Sequence, residues 1–106
     1  MPKYLIQASY TAEGLKGLQK DKASGRRTAV ATAAEGLGGK LETVYYTFGN
    51  DDVIVILDMP DNVSVAALSL AVGASGLVHT KTTALLTVDE VDKALAKSTG
   101  YRAPGR

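Results

Sequence analysis

The stretch LETVYYTFGNDDVIVILDMP, from Leu41 to Pro60, decides the fold of this chain. Its pattern predicts two β-strands joined by a tight turn at Gly49-Asn50-Asp51. The second strand, Val53–Leu57, is a continuous run of β-branched and aliphatic residues, which indicates burial on both faces of a sheet. Tyr45 and Tyr46 are adjacent in the first strand and therefore point to opposite faces. One of them should lie on the face away from any covering helices.

Length and composition limit the classes of protein to consider. The chain has 106 residues, which suits one domain around one hydrophobic core. Twelve basic and eleven acidic residues give a net charge of +1, so the chain has no basic footprint for nucleic acid. It contains no cysteine, which excludes disulfides, zinc thiolate sites and thiol nucleophiles. The first residues carry no apolar leader, and the cytoplasm is the expected location.

The residues before the hairpin predict a strand followed by a short helix. Lys3–Tyr10 alternates between two sets of side chains and suits a strand tied into the sheet. Thr11 is a plausible N-cap for one or two helical turns, with Leu15 and Leu18 as the buried pair. We expect the helix to break near Asp21–Ala23.

A second, longer helical segment is expected to begin at Ser24 and to end at Gly38-Gly39. Its apolar residues recur every three to four positions and form one stripe: Val30, Ala33, Ala34 and Leu37. Arg26 and Arg27 lie in its first turn, where the helix dipole disfavours positive charge. We therefore predict that the two arginines offer a place for an anion or an acidic partner. The alternative is a solvated first turn beside a neighbouring carboxylate.

A helix without charged residues follows the hairpin. Asp61 or Asn62 caps it, and it runs to about Ser75. The expected inward stripe is Val63, Ala66, Ala67 and Leu70, and the other side carries Val65, Leu68 and Val72. A helix that is apolar all round must be buried all round, and this one is too short to span a membrane. We therefore expect a second subunit to cover its outer side.

The C-terminal part predicts a strand, a helix and a tail. Leu77–Leu86 is the expected fourth strand, and Thr87-Val88-Asp89-Glu90 forms a capping box that opens the final helix. The residues expected to point inward from that helix are Val91, Ala94 and Leu95. Gly100 is expected to end this helix, and Tyr101–Arg106 is an irregular tail that either frays or docks on a neighbour.

The order of elements is strand, helix, strand, strand, helix, strand, with a terminal helix. It predicts an α+β fold: a ferredoxin-like βαββαβ domain over residues 1–100, with a four-stranded antiparallel sheet and helices on one face. Because Val53–Leu57 is apolar on both sides, the open face of the sheet needs a cover. Two sheets packed face to face would supply it, and we expect a homodimer or higher homo-oligomer, a dimeric α/β barrel.

Several short segments are similar to those of one known family. They are Tyr4-Leu5-Ile6, Gly25-Arg26-Arg27, Thr47-Phe48-Gly49-Asn50-Asp51-Asp52-Val53, Pro60-Asp61 and Lys81-Thr82-Thr83. Over about residues 3–90 the chain resembles the GYD-domain family, small bacterial and archaeal proteins of the dimeric α/β-barrel superfamily. Members commonly carry an aromatic residue where this chain has Asp51. The resemblance implies the fold and dimerisation, and it brings no catalytic residues because the family has no established reaction.

Five polar side chains are candidates for ligand binding. His79 is the only side chain whose ordinary pKa lies near neutrality, and it shares a strand face with Lys81. If that face is interior, the pair could bind an anionic or enolic substrate, with His79 as the best catalytic candidate. The alternative is a solvent-facing edge strand guarded by charge. Gln7, Ser9 and Tyr45 complete the set, and the alternative for Gln7 and Ser9 is a pair of hydrogen-bonded interface groups.

Other chemistry finds little support in the sequence. Asp51 and Asp52 are adjacent and are explained by turn formation. One histidine without clustered carboxylates predicts no metal site, and no glycine-rich phosphate loop follows a strand, so no cofactor is expected.

Three classes of function remain. The first is an oligomeric small-molecule-binding protein with a pocket between the sheet and the helices, which we favour. The second is a cofactor-free monooxygenase or isomerase of a small organic substrate, with His79 as base. The third is a structural assembly protein without a ligand. No nucleic-acid or membrane partner is expected.

Overall fold

The computed structural model describes all 106 residues of the chain. Its elements, in chain order, are β1 (Lys3–Tyr10), α1 (Ala12–Gly36), β2 (Lys40–Tyr46), β3 (Val53–Asp58), α2 (Asn62–Ala74), β4 (Val78–Leu85) and α3 (Val88–Leu95). The strands form one antiparallel sheet in the order β2-β3-β1-β4, and α1 and α2 pack on one of its faces. This is the ferredoxin-like arrangement, and the predicted α+β fold is confirmed.

The hydrophobic core lies between the sheet and these two helices. It consists of ten buried residues: Tyr4, Ile6, Ala8, Ala34, Val53, Val55, Leu57, Met59, Val65 and Leu68. Strand alternation sends Leu5, Ile54 and Ile56 to the opposite face, where they are only half-buried. Within one chain, therefore, Val53–Leu57 is fully buried on its helix side only. We call the opposite side the open face.

α1 is two helical segments joined at Lys22, whose φ of 66° and ψ of 166° are not helical. The predicted break is confirmed, and so is the N-cap: Thr11 Oγ1 accepts a hydrogen bond from Gly14 N at 3.1 Å. Leu18 is half-buried, but the expectation that Leu15 is buried is wrong. The contact surface of this segment passes through Gly14, which is buried, and Leu15 lies about 100° further round the helix.

The second segment of α1 ends in a Schellman motif, as the glycine pair indicated. Gly38 has a φ of 83°, its N–H donates to the Glu35 carbonyl at 3.0 Å, and Gly39 N donates to the Ala34 carbonyl at 2.9 Å. The motif turns the chain directly into β2.

α2 presents the opposite stripe from the one expected. Val65 and Leu68 are buried against the sheet, whereas Val63 is 79% and Leu70 73% exposed, so the prediction of an inward stripe through Val63, Ala66, Ala67 and Leu70 is wrong. Both sides of the helix are apolar, and the sequence therefore had no polar face to mark the outside.

Contacts at the N-terminal end of α2 set its rotation. Asp61 is the N-cap, and its Oδ1 accepts a hydrogen bond from Ser64 N at 2.8 Å. The buried Tyr4 donates its hydroxyl proton to Asn62 Oδ1. The cap and this long-range bond together turn Val65 and Leu68 toward the sheet.

The connection between β2 and β3 runs from Thr47 to Asp52, and the prediction of a tight turn at Gly49-Asn50-Asp51 is wrong. Thr47 N donates to the Asp52 carbonyl at 2.8 Å, and Asp52 N donates to the Ala8 carbonyl at 2.9 Å. The Asp52 carboxylate in turn accepts from Tyr10 N at 2.8 Å. The loop is held by β1, a strand more than 35 residues earlier, which local turn statistics do not include.

α3 extends away from the rest of the molecule. Its capping box is confirmed, since Thr87 Oγ1 accepts from Glu90 N at 3.0 Å and Glu90 Oε1 accepts from Thr87 N at 2.9 Å. The expectation that Val91, Ala94 and Leu95 point inward is wrong in the single chain, because no residue of the helix is buried. We call Leu86–Arg106 the C-terminal arm.

The arm gives the molecule an elongated shape. Its longest axis measures 57 Å and its radius of gyration is 16.9 Å, against about 13 Å for a compact domain of this length. The arm's large apolar side chains are exposed: Leu86, Val88, Val91, Leu95 and Tyr101.

Candidate functional site

The five predicted ligand-binding residues share the open face of the sheet. In the ladders Ser9 lies opposite His79 and Gln7 opposite Lys81. Tyr45 pairs with Ile54 on the same face, while Tyr46 pairs with Val53 toward the helices, so the prediction that the two tyrosines diverge is confirmed. β4 is an edge strand, and both His79 and Lys81 are exposed in the single chain.

Asp51 joins three of these residues into one polar network. Its Oδ2 lies 3.4 Å from both Gln7 Nε2 and Lys81 Nζ, and its Oδ1 lies 3.3 Å from Ser9 Oγ. The sequence assigned Asp51 to turn formation alone. Its position over the open face follows from the attachment of the loop to β1, which no local signal indicates. His79 has no hydrogen-bond partner beside this network.

A second ionic cluster lies at the opposite end of the open face. Lys3 Nζ donates to Asp58 Oδ1 and to Glu42 Oε1, both at 2.8 Å. The hydrogen bond to Asp58, followed by that to Glu42, raises the pKa of Lys3 above its ordinary value. Between the two clusters lie the half-buried side chains of Leu5, Ile54 and Ile56, so the open face has an apolar centre and two charged ends.

On the other side of the sheet, a pocket separates β1 and β3 from the two helices. Its cavity has a volume of about 70 Å³ and is open to solvent, and eleven of its 15 lining residues are hydrophobic. The sheet contributes the floor, including Ile6 and Val55, and the helices contribute walls that include Val30 and Val72.

Two tyrosines line this pocket from adjacent ends of β1 and β2. The Tyr10 and Tyr46 hydroxyl oxygens lie 3.4 Å apart, and either can donate to the other. Partial burial, followed by this hydrogen bond, raises the pKa of Tyr46 above its ordinary value. Because the pair shares one hydrogen bond but has two hydroxyl protons, one proton is left to donate to a ligand.

The predicted anion-binding arginines also line the pocket. Arg26 Nη1 forms an ion pair with Asp21 Oδ2 at 3.7 Å, which is the neighbouring carboxylate of the alternative interpretation, and Arg27 is exposed without an acidic partner. Arg26 and Tyr46 line the same pocket. Both arginines lie in the first turn of the helical segment that follows the break at Lys22.

The structure therefore divides the candidates between two sites. Gln7, Ser9, Tyr45, His79 and Lys81 lie on the open face, and Arg26 and Arg27 line the pocket between the sheet and the helices. The sequence analysis missed Tyr10 and Tyr46 as pocket residues. Strand alternation places Tyr10 with the core residues of β1, a signal that could have identified it.

No three side chains of His, Cys, Asp or Glu are grouped so that they could hold a metal ion. None of the helices has the length and apolar character required to cross a membrane.

Comparison with known proteins identifies the family. The GYD domain model matches residues 4–95, most of the chain, and the chain therefore belongs to the GYD-domain family. Comparisons with curated proteins and with solved structures found no match.

Proposed function

We propose that this protein binds a small organic molecule in the pocket between the sheet and the helices. The observation on which the proposal rests is an apolar pocket, open to solvent, with a pair of tyrosine hydroxyls and two arginines among its lining residues. Binding sites of this kind combine an apolar lining with a few polar groups that orient the ligand. The remaining lining residues offer no nucleophile with an adjacent base, so binding is favoured over catalysis at this site.

We propose further that the protein acts as a homodimer or a higher homo-oligomer. The half-buried apolar centre of the open face supports this, as does Tyr45, which is 65% exposed beside it. The exposed apolar side chains of α2 and of the C-terminal arm also support oligomerisation, since large apolar surfaces on a small chain mark interaction sites.

A second candidate function is a cofactor-free monooxygenase or isomerase. The observation that favours it is the placement of His79 opposite Ser9, beside the network of Gln7, Lys81 and Asp51. A second sheet packed on the open face would enclose this cluster, and an enclosed histidine next to hydrogen-bond donors is suited to general base catalysis. The third candidate, an assembly protein without a ligand, leaves the pocket without a role.

Binding in the pocket can be tested with N-phenyl-1-naphthylamine, a neutral apolar dye whose fluorescence rises in apolar surroundings. We expect saturable binding to the protein. Val30→Phe should reduce the affinity, because Val30 is a half-buried wall residue and the larger side chain fills the pocket. Circular dichroism and urea unfolding check that the variant is folded.

Ile54→Thr is the matched control, because it changes an apolar side chain on the open face and leaves the pocket intact. It should bind the dye as the parent protein does. If Val30→Phe has no effect and Ile54→Thr abolishes binding, the dye occupies the open face, and the proposed function is wrong.

A further inference from the structure

We infer that the pocket selects small organic anions: molecules with an apolar body that end in a single carboxylate or a similar acidic group. The inference rests on the proposed function and adds the chemical class of the ligand. It follows from the way charge and hydrogen-bond donors are distributed around the pocket.

The lining is electropositive. It includes Arg26 and Arg27 but no aspartate or glutamate. The side chain of Arg26 is 34% exposed, and its only acidic neighbour, Asp21, is 3.7 Å away. Arg27 is exposed and has no ion pair. Both guanidinium groups therefore retain donors for an incoming anion, and a planar guanidinium matches a carboxylate with two parallel hydrogen bonds.

The rest of the pocket determines where the two ends of the ligand lie. The floor of Ile6, Val55 and their neighbours is buried and apolar, and it excludes a charged group that has no partner. The arginines lie on the solvent-exposed side. An amphipathic ligand therefore enters with its apolar body first and keeps its acidic end beside Arg26 and Arg27.

The tyrosine pair also favours an anionic ligand. The pKa of Tyr46 is raised, so its hydroxyl keeps its proton at neutral pH and adds no negative charge to the pocket. The hydroxyl proton that the pair does not use internally is available as a neutral donor to an anion held by Arg26. The tyrosine and arginine donors line the same pocket, and the one carboxylate beside them, Asp21, is paired with Arg26.

A matched pair of dyes tests the inference. 8-Anilino-1-naphthalenesulfonate and N-phenyl-1-naphthylamine share the same aromatic body and differ in one sulfonate. We expect the sulfonate to bind the parent protein about tenfold more tightly than the neutral dye, as a charge-assisted hydrogen bond to a partly desolvated arginine allows. Arg26→Gln combined with Arg27→Gln should remove this preference, so that the two dyes bind with similar affinity.

Arg102→Gln is the control for net charge, since it removes a cation from the C-terminal arm and should preserve the preference. Equal binding of the two dyes to the parent, or a preference that survives the double variant, would overturn the inference and leave the proposed function standing. Loss of both dyes' binding in the double variant with normal unfolding would also overturn it, because the arginines would then support the pocket rather than select charge. Failure of the neutral dye to bind the parent contradicts the proposed function itself.

Discussion

Gly14 and Gly17 are one helical turn apart in α1, but their surroundings differ. A Cβ at Gly14 would lie far inside van der Waals distance of the Leu77 carbonyl oxygen and 3.1 Å from the ring of Tyr10. The same backbone approach allows Thr11 N to donate to the Leu77 carbonyl at 2.9 Å. A Cβ at Gly17 would meet nothing within 4 Å. Of these two positions, only Gly14 is packed so closely that glycine is required there.

We predict opposite effects of alanine at these two positions. Gly14→Ala should destabilise the protein, because an overpacked contact with backbone costs about 1–3 kcal/mol and exceeds the gain in helix propensity of about 1 kcal/mol. Gly17→Ala should stabilise it by up to about 1 kcal/mol. Urea unfolding of both variants measures whether each substitution raises or lowers the free energy of unfolding. If the Gly14→Ala protein were as stable as the Gly17→Ala protein, α1 would not approach the Leu77 carbonyl this closely.

At the scale of the elements, each helix begins with a cap whose chemistry is local. For α2 the cap is the carboxylate of Asp61, and the hydrogen bond from Ser64 N lowers its pKa from the ordinary value of 3.8. A lowered pKa in the folded state means that the folded protein binds the Asp61 proton less tightly than the unfolded chain does. The stabilisation is therefore complete above the unfolded pKa and is lost as the pH falls through the folded one.

We predict that Asp61→Asn separates the charge of this cap from its hydrogen bond. Asparagine is also a good N-cap, so the variant keeps the bond and loses the interaction of the carboxylate with the helix dipole. The free energy of unfolding should be lower than that of the parent at pH 7, and the difference should shrink toward pH 2.5. All other carboxylates are common to both proteins, and a difference that does not change with pH would contradict the prediction.

The hairpin shows how an element depends on its neighbours. β2 and β3 form as their residues predict, but the loop between them is held by hydrogen bonds to Ala8 and Tyr10 of β1. This attachment brings Asp51 over the open face, where it contacts Lys81. The polar network is thus a property of three elements rather than of one turn.

At the scale of the whole molecule, one chain leaves three apolar surfaces without cover. They are the centre of the open face, the outer side of α2 and the C-terminal arm, in which Leu95 is 78% exposed. The arm's apolar residues follow helical spacing on one side of α3, while Asp92 and Lys93 lie between them. An amphipathic helix gains its stability by burying the apolar side, and a second copy of the chain would supply a surface for it.

We predict that light scattering at micromolar concentration gives at least twice the chain mass of 11.0 kDa. Ile56→Lys places a charge in the apolar centre of the open face and should reduce the measured mass without unfolding the domain, because that side chain lies outside the core. Leu95→Lys tests the arm in the same way.

Thr32→Lys, on an exposed position of α1, is the control and should leave the mass unchanged. A mass of 11.0 kDa for the parent would contradict the proposed assembly. An effect of Leu95→Lys without an effect of Ile56→Lys would mean that the arm, rather than face-to-face packing of sheets, holds the copies together.

Features that depend on a few neighbouring residues could be predicted from the sequence. Thr11, Asp61 and Thr87 act as caps, Gly38 ends α1 and the helix breaks at Lys22, all as their residue types indicated. Strand alternation and the order of elements were sufficient to predict the ferredoxin-like sheet. Caps, breaks and strand periods are encoded within a few residues, and so they can be recognised without any knowledge of distant contacts.

The tertiary structure alone decided which surfaces meet. Apolar residues on both sides of α2 left its rotation open, and in the structure Val65 and Leu68 face the sheet while Tyr4 bonds to Asn62. Tyr46 and Arg26 are 20 positions apart in the sequence and line the same pocket on the helix face of the sheet. Such contacts depend on strand register and helix placement, which balance many weak interactions over the whole chain. The pocket, and with it the proposed ligand, is therefore a consequence of packing that the sequence pattern does not display.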